Sequence, residues 1–255
     1  MRLEMLDHAG YFGHPSFSLP QAFKCMAVAP ILEALCEHER RFADFEDPVR
    51  NDVRYTFDNR YFTSPDAEVL YTIVRTSQPR TVVEVGCGHS TRIIRQAIVD
   101  SPIPTRLLSI DPHPRLDIKG LVDELYLTPV EALGNMEIFQ SLREGDILFI
   151  DSSHDMKTGS DVAFLYLHVL PALAHGVLIH IHDVFLPYDY PREWVIEKCW
   201  SFNEQYLVQS MLMGGDGFEV LWAGHFLQRT RTDFCRYFPY ADGRVAKSLW
   251  LRKTT

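Results

Sequence analysis

Two stretches of this chain run from core-forming residues straight into groups that bind metals or move protons. "DILFIDSSHD", residues 146–155, carries Ile147, Leu148, Phe149 and Ile150 into Asp151, Ser152, Ser153 and His154. About thirty residues later "GVLIHIHDVF" repeats the pattern and ends on His180, His182 and Asp183. Carboxylates and imidazoles together can ligate a divalent cation, and an imidazole near its ordinary pKa is a competent general base at neutral pH. If the two strands lie side by side, Asp151, His154, His182 and Asp183 form one constellation. The plainer alternative is that Asp151 caps a turn and the histidines satisfy loop backbone.

A third stretch, "VVEVGCGHSTRII", runs from an apolar strand into a turn at Gly86, a second glycine at Gly88, and a helix opening near Ser90. The first glycine permits a tight turn, the second lets a ligand lie against bare backbone, and the helix start offers free N–H groups. Glu84 sits inside the otherwise apolar strand, where a carboxylate needs polar partners. Asp111 ends the next strand, where an acid can accept hydrogen bonds from ribose hydroxyls. A third glycine of a G-x-G-x-x-G fingerprint would fall at Thr91, so the dinucleotide pattern fails.

The elements that must position these groups alternate. Strands are predicted at 81–86, 106–111, 123–127 (weaker), 146–151 and 176–183, with helices at about 90–99 and 160–173 between them. A long helix is expected over about 191–213. Two closing strands follow at 217–224 and 247–253, joined by a helix-poor connection and expected to be antiparallel. Ahead of the sheet, Ser64 as N-cap, Pro65 at the first helical position and the apolar face Ala67, Leu70, Tyr71 and Val74 predict a helix ending at Pro79. Residues 20–45 read as a helix interrupted at Pro30, and 46–60 as a connector. Apolar strands separated by helices predict a doubly wound α/β fold with the sheet covered on both faces. In such sheets ligands sit beyond the carboxyl ends of the strands.

The motif Glu84-Val-Gly86-Cys-Gly88-His-Ser90, with Asp111 ending the second strand, resembles class I S-adenosylmethionine-dependent methyltransferases. The resemblance covers roughly 61–255. It is closest to a largely uncharacterised bacterial group with E-V-G-x-G-x-S-T, then F-I-D-S-S-H, then a strand ending H-x-H-D. It implies a Rossmann-like seven-stranded methyltransferase sheet over 61–255, with 1–60 as an N-terminal helical cap or connector. It also implies that Gly86, Gly88 and Ser90 line the methionine part of the cofactor, that Asp111 holds the ribose, that Glu84 anchors the pocket near the ammonium, and that residues near Pro129–Glu131 border the adenine. Asp151 is assigned to the same cofactor rim. A more distant similarity to catechol-type O-methyltransferases implies a divalent metal on Asp151, His182 and Asp183, departing from that family by His for Asp and Asp for Asn. There His154 stands where those enzymes carry a catalytic lysine, which implies a general base. The expected function is methyl transfer to an oxygen of a small molecule or sugar. Other metal-dependent chemistry such as hydroxylation, or a non-catalytic binding protein, are the alternatives.

The bulk numbers are compatible. The 255 residues are 46% hydrophobic, and the charge is 25 − 34 = −9. That balance does not suggest a nucleic-acid partner. The five cysteines are odd in number and scattered, which indicates neither a disulfide framework nor a zinc knuckle and suggests a reducing cytoplasm. No signal peptide or membrane span is expected. The aromatics after Asp183 (Phe185, Tyr188, Tyr190, Trp194) and Arg192 are expected near the acceptor, Tyr61 and Phe62 near the cofactor, and the first sixty residues in a cap or homodimer contact.

Overall fold

The computed structural model describes residues 2–46 and 54–255. Its N-terminal part is helical: α1 (Arg2–His8), α2 (Gln21–Lys24), α3 (Ala29–Glu37) and α4 (Glu39–Ala43), followed by α5 (Asp66–Ser77). The sheet then begins: β1 (Thr81–Val85), α6 (His89–Val99), β2 (Arg106–Ile110), β3 (Glu124–Tyr126), α7 (Glu137–Gln140) and β4 (Ile147–Ile150). It continues with α8 (Asp161–Phe164), a wider helical turn Leu165–Val169, α9 (Leu170–Ala172) and β5 (Leu178–Ile181), and closes with α10 (Glu204–Met213), β6 (Phe218–Ala223), α11 (Gly224–Thr230), α12 (Phe234–Tyr237) and β7 (Leu249–Lys253).

The seven strands lie in the order β3-β2-β1-β4-β5-β7-β6, with the first five parallel and β7 antiparallel to both neighbours. This is the expected seven-stranded doubly wound sheet. β1, β4 and β5 are buried almost throughout because both faces are covered. One apolar cluster joins α3, α5 and α6 to one face; the other packs α8–α10 and the N-terminal Phe23 against the opposite face. Helices α2, α3 and α4 therefore share the core of the sheet, whereas α1 buries none of its residues.

Strand order reverses between β1 and β4, and register then fixes the rim. Val85 lies beside Ile110 on one side and Ile150 on the other, and Ile150 beside Ile181. The next residues, Gly86, Asp111, Asp151 and His182, therefore form one row at the carboxyl edge. Asp151 donates its N–H to Val85 O at 2.9 Å and His182 to Ile150 O at 3.0 Å, which carries the row one residue past the strands.

Several local expectations differ. Ser64 does not cap α5; its hydroxyl donates to the buried Glu68 at 2.5 Å, and the helix starts behind Pro65. The break in 20–45 falls before Pro30, which sits in the first turn of α3 where its missing N–H costs nothing. The helix over 191–213 is two pieces: a helical turn Glu193–Glu197, then an irregular stretch, then α10 from Glu204. Cys199 there has φ +53°, which a continuous helix cannot contain. The β6–β7 connection carries α11 and α12, so it is not helix-poor. The expected connector at 46–60 lies partly outside the described residues.

Candidate functional site

The turn after β1 is built around Gly86. Its φ is +81°, and a Cβ there would lie 1.8 Å from the carbonyl oxygen of Asp151, so only glycine fits. Gly88 differs: a Cβ at that position would meet nothing within 4 Å. Glu84 lies beneath, wholly buried, and accepts hydrogen bonds from Ser90 Oγ (2.7 Å), Thr91 Oγ1 (2.8 Å) and Ser109 Oγ (2.6 Å). Burial pushes its pKa up to about 7, against the pull of those hydroxyls. The three donors explain how an acid survives inside β1, and they tie α6 and β2 to the turn. Asp111 takes the N–H of Cys87 at 3.0 Å on one oxygen and of His113 at 2.7 Å on the other. A carboxylate offers more acceptor positions than these two.

Across the β1–β4 junction lies the acid and imidazole cluster. Asp151, His154 and Asp183 each present one atom within 4.8 Å of the others. His154 Nε2 is 3.3 Å from Asp151 Oδ1 and 3.4 Å from Asp183 Oδ2, both longer than charge-assisted hydrogen bonds. Its Nδ1 makes a 2.7 Å hydrogen bond with Glu204 Oε2. Burial disfavours the charged ring, but Asp151, Glu204 and Asp183 together outweigh it and hold the proton well above the ordinary histidine range. Burial likewise raises Asp151, yet the adjacent His182 and His154 pull its carboxyl well below the usual range.

His182 does not join this cluster. It is buried beneath it, its ring 4.9 Å from Phe62, with Nε2 3.7 Å from Asp183 Oδ1 and neither nitrogen hydrogen-bonded among the described residues. His180 is a core residue: it stacks on Phe149 at 4.0 Å and pairs with Ser248 Oγ at 2.9 Å. Burial and the neighbouring His182 lower its pKa and keep it neutral. Among the described residues, the side chains that could hold a cation are thus Asp151, His154 and Asp183. An imidazole backed by a carboxylate, with two further carboxylates converging on its other nitrogen, is a donor set that fits a divalent transition metal.

Two members of the site escaped the sequence reading. Glu204 opens α10 and is 1% exposed. Its signal was present: Asn203-Glu204 is a helix-start pair, which marks a boundary inside the assumed long helix. Lys247, just before β7, places Nζ 3.1 Å from Asp183 Oδ1 and 5.5 Å over the Trp194 ring. Burial lowers its pKa, but Asp183 and Asp66 raise it further, so it stays cationic. Nothing in "KSLWLRK" announces this, because the antiparallel direction of β7 is what brings its first residues to the rim.

Around the rim, Tyr61 stacks on His89 and lies under Arg115, whereas Phe62 is core. Asp66 accepts the N–H groups of Lys247 and Ser248 and so fixes the start of β7. Phe185 and Tyr190 are buried; Trp194, Trp200 and Phe202 form a partly exposed wall that reaches His154 through Phe202 at 4.8 Å. Arg192 points away, to Asp7 and Glu197.

With this topology and turn in place, a family model described as a methyltransferase domain matches residues 83–184, from β1 to just past β5. Over these residues the chain is similar to methyltransferase domains. Among solved structures, a methyltransferase from Podospora anserina bound to SAH is 17% identical, covering 99% of this chain and 96% of its own, with a TM-score of 0.47. An O-methyltransferase from Bacillus cereus in complex with SAH is 14% identical over 87% and 91%, with a TM-score of 0.44. A methyltransferase from Geobacter sulfurreducens is 19% identical over 90% of each chain, with a TM-score of 0.42. At these identities the likeness carries nothing about substrate. No curated protein matches the chain in sequence. Within the matched residues fall the glycine turn, Asp111, Asp151, His154, His182 and Asp183. Glu204 and Lys247 lie beyond the matched residues. No helix among the described residues is long and apolar enough to cross a membrane.

Proposed function

We propose that the protein transfers a methyl group from S-adenosylmethionine to an oxygen of a small-molecule or sugar acceptor, with a divalent metal on Asp151, His154 and Asp183. The observation that carries this reading is the single row at the carboxyl edge, which sets the open space over Gly88 and the acceptor Asp111 beside the acid and imidazole cluster. The cofactor would supply an electrophilic sulfonium methyl, so the chain has to align an acceptor oxygen and manage its proton. Asp111 takes the ribose hydroxyls, and Gly86 and Gly88 let the methionine part approach bare backbone. Ser90 contributes its N–H, since its hydroxyl is held by Glu84. Glu84 supports the turn from below through its three hydroxyl partners. Asp151 stands between turn and cluster, its side chain partly exposed.

His154 is better suited to ligation than to proton abstraction. Its Nε2 faces the two carboxylates that would share the metal, and a ring that ligates through that nitrogen is not free to take the acceptor's proton. A metal there would polarise the acceptor oxygen and favour its ionised form. The aromatic wall of Trp194, Trp200 and Phe202 offers a flat surface to a ring-shaped acceptor.

Titration calorimetry tests the reading. S-adenosylhomocysteine should bind the wild type, and Asp111→Ala should weaken it roughly 10- to 1000-fold, because two hydrogen-bond partners and the support of Cys87 are lost together. NAD binding with no affinity for either sulfur nucleoside would sink the cofactor assignment. Elemental analysis of the purified protein should find a divalent transition metal that Asp151→Ala loses; a metal-free, chelator-insensitive enzyme would remove the metal from the reading.

A further inference from the structure

We propose that Glu204 is the positioning residue of the cluster, and that by locking His154 it makes the site take manganese-, iron- or zinc-like ions in preference to magnesium or calcium. The proposal rests on the metal reading above. Glu204 grips His154 twice. Its Oε2 is 2.7 Å from Nδ1, and its own N–H reaches His154 O at 3.4 Å beside that of Asn203 at 3.0 Å. Asn203 Oδ1 also accepts the N–H of Met156 at 2.6 Å, so the start of α10 clamps the loop after β4 at His154 and again at Met156. His154 itself sits at φ +59°, a conformation uncommon outside glycine, and this clamp holds it there.

The arrangement has a cost that packing does not explain. Glu204 is an acid with 1% exposure; among the described residues its one close hydrogen-bond partner is His154, with the buried Tyr166 hydroxyl also beside it. Burying an acid among so few partners is a poor way to stabilise a fold. It does make sense as an orienting group. With Nδ1 engaged by Glu204, Nε2 is the atom left to face Asp151 and Asp183, so all three donors converge on one point. A carboxylate behind a ligating histidine fixes ring orientation and raises its basicity. A nitrogen donor in the set then disfavours magnesium and calcium, which prefer all-oxygen ligands.

The test uses the full chain with Glu204→Gln, which keeps shape and removes charge. Calorimetric titration with manganese, zinc and magnesium should show manganese and zinc weakened by about 10- to 100-fold and magnesium little changed. In parallel, proton NMR at fixed pH should show a downfield, exchange-protected Nδ1–H of His154 in the wild type that is lost or averaged in the variant. The cation-free variant should melt no lower than the wild type. Unchanged manganese and zinc affinity with an unchanged Nδ1–H signal would overturn the proposal. So would a lowered melting temperature with neither affinity nor signal altered, which marks a merely structural role. If the wild type takes up none of these ions, the metal reading fails by itself. The ring signal then decides the role of Glu204 alone: its loss in the variant supports positioning, and its persistence refutes it.

Discussion

Two glycines one residue apart make different demands, and the difference separates folding from binding. Gly86 faces a backbone oxygen at 1.8 Å from any added Cβ and has φ +81°. Gly86→Ala should therefore cost about 2 kcal/mol or more of stability, read by chemical denaturation, with nucleoside binding lost as a consequence. Gly88 faces open space, and its φ of 167° is extended backbone open to any residue. Gly88→Ala should leave denaturation nearly unchanged yet weaken S-adenosylhomocysteine by at least about 10-fold, because the methyl occupies room the ligand needs. Equal loss of stability in both variants would show that the opening beside Gly88 serves the turn and not a ligand. The turn was legible in the sequence because glycine pairs and an acid inside a β-branched strand have few other uses. The partners of Glu84 were not, since Ser109 and Thr91 become its donors only when β2 and α6 close around β1.

At the scale of elements, α5 was anticipated from its apolar spacing, but its charged residues were not. Asp66 and Glu68 both stand in its first turn, and both are buried. Glu68 has Ser64 Oγ on Oε1 and, among the described residues, no hydrogen bond on Oε2, and burial raises its pKa to about 7. A carboxyl whose folded pKa lies above its unfolded value favours folding fully below the unfolded pKa, near 4.5. That contribution fades as pH rises through about 7. Glu68→Gln should remove this dependence. Denaturation at pH 8 and pH 5 should show the variant gaining on the wild type at the higher pH, by up to about 3 kcal/mol. A difference that stays constant between the two would mean Glu68 remains ionised in the fold. The same lesson holds for α10. Its start at Glu204 is governed by contacts with His154, 50 residues away in sequence, so periodicity alone ran the helix through the break.

For the whole molecule, the N-terminal segment is where sequence said least and structure says most. Residues 2–18 run over the loop that follows Asp183. Arg192 makes two 2.6 Å bonds to Asp7, Tyr11 Oη donates to Asp189 at 2.9 Å, and Ser16 and Phe17 donate their N–H groups to Pro187 O. Gln209 of α10 donates to Ser18 O at 2.7 Å. Arg192, expected beside the acceptor, is thus spent on fastening the opposite end of the chain to the aromatic loop. The loop's inner side carries Trp194, which lies against Lys247. The strap should therefore limit how freely this aromatic wall moves. Pairing Asp7→Asn with Tyr11→Phe should leave the melting temperature nearly unchanged, because exposed or half-exposed polar contacts add little to global stability. Amide exchange across residues 186–202 should nonetheless quicken severalfold, while β1, β4 and β5 keep their protection. High salt should move the wild type part of the way toward the variant, since the Arg192–Asp7 pair is open to screening. Unaltered exchange in 186–202 would mean the loop is ordered from within, by the packing of Phe185, Tyr190 and Trp194, and that the N-terminal segment only rests on it.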